Sequence, residues 1–147
     1  MPLKIVIVAV GKLKSSGLRG EVDDYLGRIR RYASCDEIEL KDEGERALVA
    51  RFGKHVPERA VRIALEVEGT SYDSRGLARL LGDHEQRGSS LAFLIGGAYG
   101  LPKAISAEAT HRLSLSKLTL PHRFARVVLA EQLYRSFTIL RGEPYSH

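Results

Sequence analysis

Leu91-Ala92-Phe93-Leu94-Ile95-Gly96-Gly97-Ala98-Tyr99-Gly100 is the stretch that sets the architecture. Five apolar residues in a row read as a strand buried on both faces, which is how strands of a parallel sheet read. The strand runs straight into three glycines within five positions. In open α/β sheets ligands sit beyond the carboxyl ends of the strands, so this turn is the first place to look for a site. Outward from it, Leu3-Lys4-Ile5-Val6-Ile7-Val8-Ala9-Val10 is a second nearly all-apolar strand. Leu18, Val22, Tyr25, Leu26, Ile29 and Tyr32 follow at the spacing of one helix face. Glu37 to Leu40 reads as a short strand and Glu45 to Phe52 as a second helix. Val61, Ile63, Leu65 and Val67 alternate with Arg62, Ala64 and Glu66, giving a third strand. Asp73 or Ser74 can cap a helix whose inner face is Leu77, Leu80, Leu81 and His84. Leu113 and Leu115 suggest a last short strand. Pro121 can open a helix that runs to about Arg141, with Gly142 as its C-cap. Alternating strands and helices predict an α/β fold with a mostly parallel sheet flanked by helices. With no internal repeat or linker, residues 1–147 are expected to form a single domain.

The composition agrees. Hydrophobic residues are 44% and charged residues 28% of 147, which excludes a disordered tail, a collagen-like rod and a coiled coil. Lys and Arg number 23 against 18 Asp and Glu, a net charge of +5. That balance suits a polyanionic partner without demanding one. The one cysteine, Cys35, excludes an internal disulfide and fits a reducing cytosol. The first apolar run is eight residues long, too short to span a bilayer, and Gly11-Lys12-Leu13-Lys14 behind it is no cleavage site. A cytoplasmic chain without membrane contact is expected.

Three segments could carry chemistry. The Gly96-Gly97-Ala98-Tyr99-Gly100 turn lets a backbone approach a ligand closely, and equally suits a plain tight turn. It is neither the G-x-G-x-x-G nor the Walker pattern. Leu113-Ser114-Leu115-Ser116-Lys117-Leu118-Thr119-Leu120 alternates leucine with hydroxyl side chains. It reads as an ordinary half-buried strand, or as an apolar wall whose backbone could bond the edge of a purine. On the last helix, Glu131 and Arg135 are spaced for an ion pair. Lys117, His122, Arg123, Arg126, Arg135 and Arg141 could form a basic rim for phosphates, or a solvated surface. Apolar residues surround that helix, leaving no wide polar face. Such a helix lies at the centre of a monomer or is covered by a second subunit. In the second case, a charge at Val128 or Phe137 should give monomers or insoluble protein. No H-E-x-x-H, Cys/His ligand pair or G-x-S-x-G is present, so no metal is expected.

Together these segments carry a resemblance. Ile95-Gly96-Gly97 through Gly100-Leu101, Leu113-Ser114-Leu115-Ser116 through Leu118-Thr119-Leu120-Pro121-His122, Glu131-Gln132-Leu133-Tyr134-Arg135 and Gly142-Glu143-Pro144-Tyr145 resemble the small bacterial ribosomal RNA large-subunit methyltransferases of the SPOUT superfamily. Val8 to Lys14, Glu43 to Leu48 and Leu65 to Gly69 match as well. Those enzymes methylate N3 of a pseudouridine in 23S ribosomal RNA on the assembled ribosome. The resemblance implies a C-terminal trefoil knot, S-adenosyl-L-methionine as cofactor and an obligate homodimer. Carried over by position, cofactor contacts fall on Leu65, Gly96, Gly97, Gly100, Leu115, Ser116, Lys117, Leu118, Thr119 and Leu120. Arg135, Tyr145 and His147 become the catalytic candidates, and His122, Arg123 and Arg126 the RNA contacts. Two departures stand out. The connection after Leu40 is short, and the tail reads Pro144-Tyr145-Ser146-His147 where the family has Pro-Tyr-His. The alternatives to this reading are a SPOUT enzyme acting on transfer RNA and a ribosome-binding module without catalysis.

Overall fold

The computed structural model describes residues 3–145. The elements run β1 (Lys4–Val10), α1 (Ser16–Ile29), β2 (Ser34–Leu40), α2 (Glu45–His55), β3 (Val61–Ser71), α3 (Ser74–Arg87), β4 (Ser90–Ile95), α4 (Lys103–Ala107), β5 (His111–Ser114) and α5 (His122–Arg141). The strands form one sheet in the order β2-β1-β4-β3-β5, and every pairing is parallel. All carboxyl ends therefore open on one side. The pleat divides side chains between two faces. Ile5, Ile7 and Ala9 of β1 join Leu91, Phe93 and Ile95 of β4 under α1, α3 and α5. Val8 and Val10 join Ala92 and Leu94 under α2 and α4. Helices on both faces explain why β1 and β4 read as unbroken apolar runs.

Most elements lie where the sequence puts them, with longer strands. β2 begins at Ser34 rather than Glu37, and β3 extends to Ser71. Asp73 caps α3, its carboxylate accepting from the Gly76 N–H at 2.7 Å. The short connection after Leu40 is accommodated, and α2 forms over its full 11 residues. The five-residue α4, with only Ile105 buried, escapes the sequence reading. The fifth strand stops at Ser114, so the Leu/Ser alternation beyond it is not strand.

α5 packs on both α1 and α3. Leu129, Ala130, Leu133 and Phe137 are fully buried there, and Phe137 stacks on Tyr32 at 5.3 Å. Much of the helix's all-round apolar character is thus used inside one protomer. Phe137 is a core residue, so a charge there would break the fold before it touched any interface. The outward stripe is Phe124, Val128, Glu131 and Arg135, with Ile139 one turn further.

Candidate functional site

Beyond the carboxyl ends of β4 and β5 lies a cleft of about 1110 Å3. Its walls are the middle of β3 from Leu65 to Glu68, where its pairing with β5 shifts register, the turn from Ile95 to Leu101, Ser106, Arg112 and Leu113, the segment from Leu115 to His122 except Lys117, and Ala125 of α5. Leu65, Gly96, Gly97, Gly100, Leu115, Ser116, Leu118, Thr119 and Leu120 all meet here, from three separate stretches of chain. Lys117 is exposed and does not line the cleft.

The glycine turn is closed on itself. Gly100 N–H donates to the Gly97 carbonyl at 3.0 Å, and Gly100 takes φ +80. A Cβ on Gly96 would lie 2.3 Å from the Gly100 carbonyl carbon. The turn itself therefore requires glycine at 96, and no ligand is needed to explain it. A Cβ on Gly97 would meet Val10 Cγ1 at 3.1 Å, so a larger residue there would press on β1 rather than fill the cleft. Facing the turn, Ser114 Oγ donates to the Ser116 carbonyl at 2.9 Å and Leu118 N–H donates to Ser116 Oγ at 3.0 Å. These local bonds hold the chain in a loop whose remaining backbone groups belong to no strand or helix.

The structure adds residues the sequence reading did not single out. Glu66 and Glu68 line the cleft; Glu66 accepts from the Ser106 hydroxyl and stands 3.6 Å from Arg112 Nε. Tyr99 is wholly exposed at the lip. The β3 carboxylates were findable because Leu65, matched by position to a cofactor contact, directly precedes Glu66.

The basic rim comes apart. Arg126 is only 2% exposed. Its guanidinium donates to Glu39, to Glu37 Oε2 at 3.3 Å and to the Gly11 carbonyl. It is a buried tie between α5, β2 and the β1–α1 loop, and is not free to contact RNA. Burial raises the Glu39 carboxyl, but hydrogen bonds from Arg126 and the Leu13 N–H outweigh it and hold the group below its usual range. Arg141 pairs with Glu85 at 2.8 Å on another part of the surface. His122 lines the cleft, whereas Arg123 is exposed beside a second, smaller hollow.

Arg135 donates to Glu131 Oε2 through Nε at 3.1 Å and a terminal nitrogen at 2.8 Å. Tyr145 donates to the same oxygen at 2.8 Å, under the Arg135 guanidinium at 4.7 Å. Burial and then the Glu131 bond push the Tyr145 phenol above its ordinary pKa, so it keeps its proton. Ala125 is the last α5 residue on the cleft. At 1.5 Å per residue, Arg135 stands roughly 15 Å further along the helix. Neither Arg135 nor Tyr145 lines the cleft of its own chain. His147 lies outside the described residues. Cys35 is buried, which pushes its thiol up to about 12 and leaves it inert. Among the described residues no group of three or more His, Cys, Asp or Glu could hold a metal, and no helix is long and apolar enough to cross a membrane.

The sequence and the fold each find methyltransferases. A family model described as a predicted SPOUT methyltransferase matches residues 3–147. A protein of Sorangium cellulosum named ribosomal RNA large subunit methyltransferase H is 51% identical over 146 residues, 99% of this chain and 100% of that one. One of the same name from Gemmatimonas aurantiaca is 40% identical over 152 residues, covering 97% and 99%. Among solved structures, a probable methylase family protein from Haemophilus influenzae aligns with TM-score 0.60 at 13% identity, over 99% of this chain and 70% of its own. The SpoU methyltransferase AviRb from Streptomyces viridochromogenes, solved with the cofactor AdoMet, aligns with TM-score 0.50 at 13% identity, over 91% and 58%. At that identity the structural likeness speaks for the fold alone, while the sequence match extends over nearly the whole chain. The chain belongs to the SPOUT methyltransferase family.

Proposed function

We propose that this chain is one SPOUT methyltransferase domain that transfers a methyl group from S-adenosyl-L-methionine to N3 of a pseudouridine in 23S ribosomal RNA, on the assembled ribosome in the cytoplasm. The observation that carries the reading is the cleft. Nine of the ten residues matched by position to cofactor contacts line it, although they come from three distant stretches of sequence. Its volume exceeds the few hundred Å3 typical of small-ligand sites. Leu65, Leu115 and Leu120 offer apolar walls for a purine, and the loop from Ser116 to Leu120 offers backbone groups for its edge. Cofactor and cleft therefore fit in size and in polarity. A C-terminal trefoil knot around this loop is part of the proposal.

S-adenosyl-L-methionine, when bound, supplies an electrophilic methyl group. The acceptor N–H must lose its proton, to solvent water, as the new N–C bond forms and the methyl–sulfur bond breaks. In this reading Arg135 holds the resulting imide anion, and Glu131, which accepts two hydrogen bonds from its guanidinium, orients it. Preorganised cations at a developing anion are a large source of rate. Tyr145 keeps its proton and so serves as a donor and not as a base. Because Arg135 stands far from the cleft of its own protomer, the complete site requires the tail of one copy beside the cleft of another. An obligate homodimer joined through the outward stripe of α5 from Val128 onward, leaving Phe124 outside the seam, supplies that arrangement, with Arg135, Tyr145 and His147 acting on the partner's cofactor.

The test has two arms. Calorimetric titration with S-adenosylmethionine should give a saturable heat; none would leave a ribosome-binding module without catalysis. Mass spectrometry of ribosomal RNA treated with protein and labelled cofactor should find the label on a 23S pseudouridine. Label confined to transfer RNA would keep the chemistry and overturn the substrate.

A further inference from the structure

The second hollow is bounded by the β1–α1 loop and the start of α5. It holds about 470 Å3 and is lined by Lys12, Lys14, Ser15, His122, Arg123 and Phe124, among others, with no acidic residue among its lining. We propose that this hollow is a binding groove for the phosphodiester backbone of the substrate RNA, with Lys12 and Lys14 as its principal cationic contacts. The proposal rests on the RNA methyltransferase reading and names a surface that reading does not supply.

Four features converge. Lys12, Lys14 and Arg123 are exposed and form no ion pair among the described residues, unlike Arg19, Arg51, Arg126, Arg135 and Arg141, which each hold a carboxylate. The nearby acids Glu37 and Glu39 are held by Arg19 and Arg126, so the local charge left over is positive. Two helices begin at this hollow, α1 at Ser16 and α5 at His122, and neither has an acid in its first turn. Their first N–H groups have no intrahelical acceptor, and both positive dipole ends meet here. The buried Arg126 lines the hollow with Nε unpartnered, while its two terminal nitrogens donate to Glu37, Glu39 and the Gly11 carbonyl.

The groove is built as well as charged. Arg126 donates to the Gly11 carbonyl, and Glu39 accepts the Leu13 N–H at 2.8 Å. These bonds fix the loop on either side of Lys12, so the two lysines are presented by a braced segment. Phe124 gives the hollow an apolar wall, with the Arg123 guanidinium 5.3 Å from its ring centre. His122 lines both this hollow and the cofactor cleft. A strand of RNA lying in the groove would thus pass directly to the cleft, where the acceptor base must arrive. A free inorganic anion would need only one of these charges; the run from Lys14 past His122 suits a chain of phosphates.

The test is the double variant Lys12→Gln, Lys14→Gln, with Arg123→Gln added in a second protein. Both are compared with the parent for affinity to ribosomes from cells lacking the enzyme, across a salt series. Losing two phosphate contacts should flatten the slope of log affinity against log salt by roughly 1.4, and losing three by roughly 2. Affinity at low salt should fall at least tenfold. S-adenosylmethionine affinity, melting temperature and sedimentation should match the parent. Unchanged slopes overturn the groove, and so does inorganic phosphate displacing the parent as readily as RNA does. A changed oligomeric state in the variants would assign the surface to a second copy of the chain instead. Methyl transfer by the parent reports separately on the proposed function: a parent that binds RNA through these residues yet transfers no methyl keeps the groove and loses the enzyme.

Discussion

Replacing Arg135 with alanine separates two roles that one static geometry allows. Arg135 and Glu131 are 2.8 Å apart and each about one-fifth exposed, 19% and 18%. As an ion pair alone it would be worth about 1 kcal/mol or less. For a chain of this length that is a fall of roughly 2–4 °C in Tm. If Arg135 holds the imide anion, single-turnover methylation of ribosomes at saturating cofactor should instead fall by about 10²-fold or more, with cofactor affinity unchanged. Lysine should rescue poorly, because a point charge does not reproduce a planar fork. The placement of Arg135 ten residues beyond the cleft wall adds a sharper demand. Arg135→Ala and a cleft variant, Gly96→Ala, should each be inactive alone. Gly96→Ala acts by forcing the turn open, since its Cβ would overlap the Gly100 backbone. Mixed at random in a symmetric dimer, half the dimers carry one of each chain, and each such dimer has one complete site. Activity should return to about a quarter of the parental rate. No recovery on mixing, in dimers shown to have exchanged, would place Arg135 in its own protomer's reaction or outside the reaction altogether.

Three further outcomes follow from the same geometry. Arg126→Ala strips Glu37 and Glu39 of their buried cation and leaves only the more exposed Arg19 to hold both, so urea unfolding should report a loss toward the lower end of about 3–5 kcal/mol; less than about 1 would mean the cluster is open to water. Val128→Glu should yield a folded monomer in sedimentation, whereas Phe137→Glu should fail to fold, because only Phe137 is sealed inside the protomer; a dimer of Val128→Glu would refute the α5 seam. His84 is held neutral by burial, then by His111 and Arg87, with Asp83 opposing, so its folded pKa lies below the ordinary 6.5. The unfolded chain then takes up the proton first as pH falls, so stability is intact above about 6.5 and declines below it. His84→Gln should flatten that decline in melting temperature, and an equal decline in the variant would assign it to other groups.

The sheet was legible because β1 and β4 are apolar on both faces, a pattern that few structures besides a parallel sheet produce. The cleft was legible because its glycine turn and leucine loop are contiguous motifs that also carry the resemblance. Four things were not. Arg126 has the sequence context of a surface cation, and only the return of β2 beneath α5, 87 residues away in sequence from Glu39, turns it into a buried tie. Lys12 and Lys14 look like ordinary loop residues until α5 begins beside them. The reach of Arg135 depends on counting along a helix whose start relative to the cleft is a matter of tertiary structure. Phe137 and Val128 look alike on a helical wheel of apolar residues, and only the positions of α1 and α3 tell them apart.

The two rims of the sheet bear on how copies of this chain can associate. β2 forms one rim and carries Asp36, Glu37 and Glu39 along seven residues. β5 forms the other and is four residues long, ending in a loop. Another β2 laid alongside the first would set the exposed Asp36 against its own copy and crowd the Arg19 side chain that holds Glu37 and Glu39, and β5 offers few open backbone groups to template a partner. Edge-to-edge growth into a continuous ribbon, the usual route from a parallel sheet to aggregates, is closed at both rims. The helix surfaces are then where the proposed second copy has room to dock.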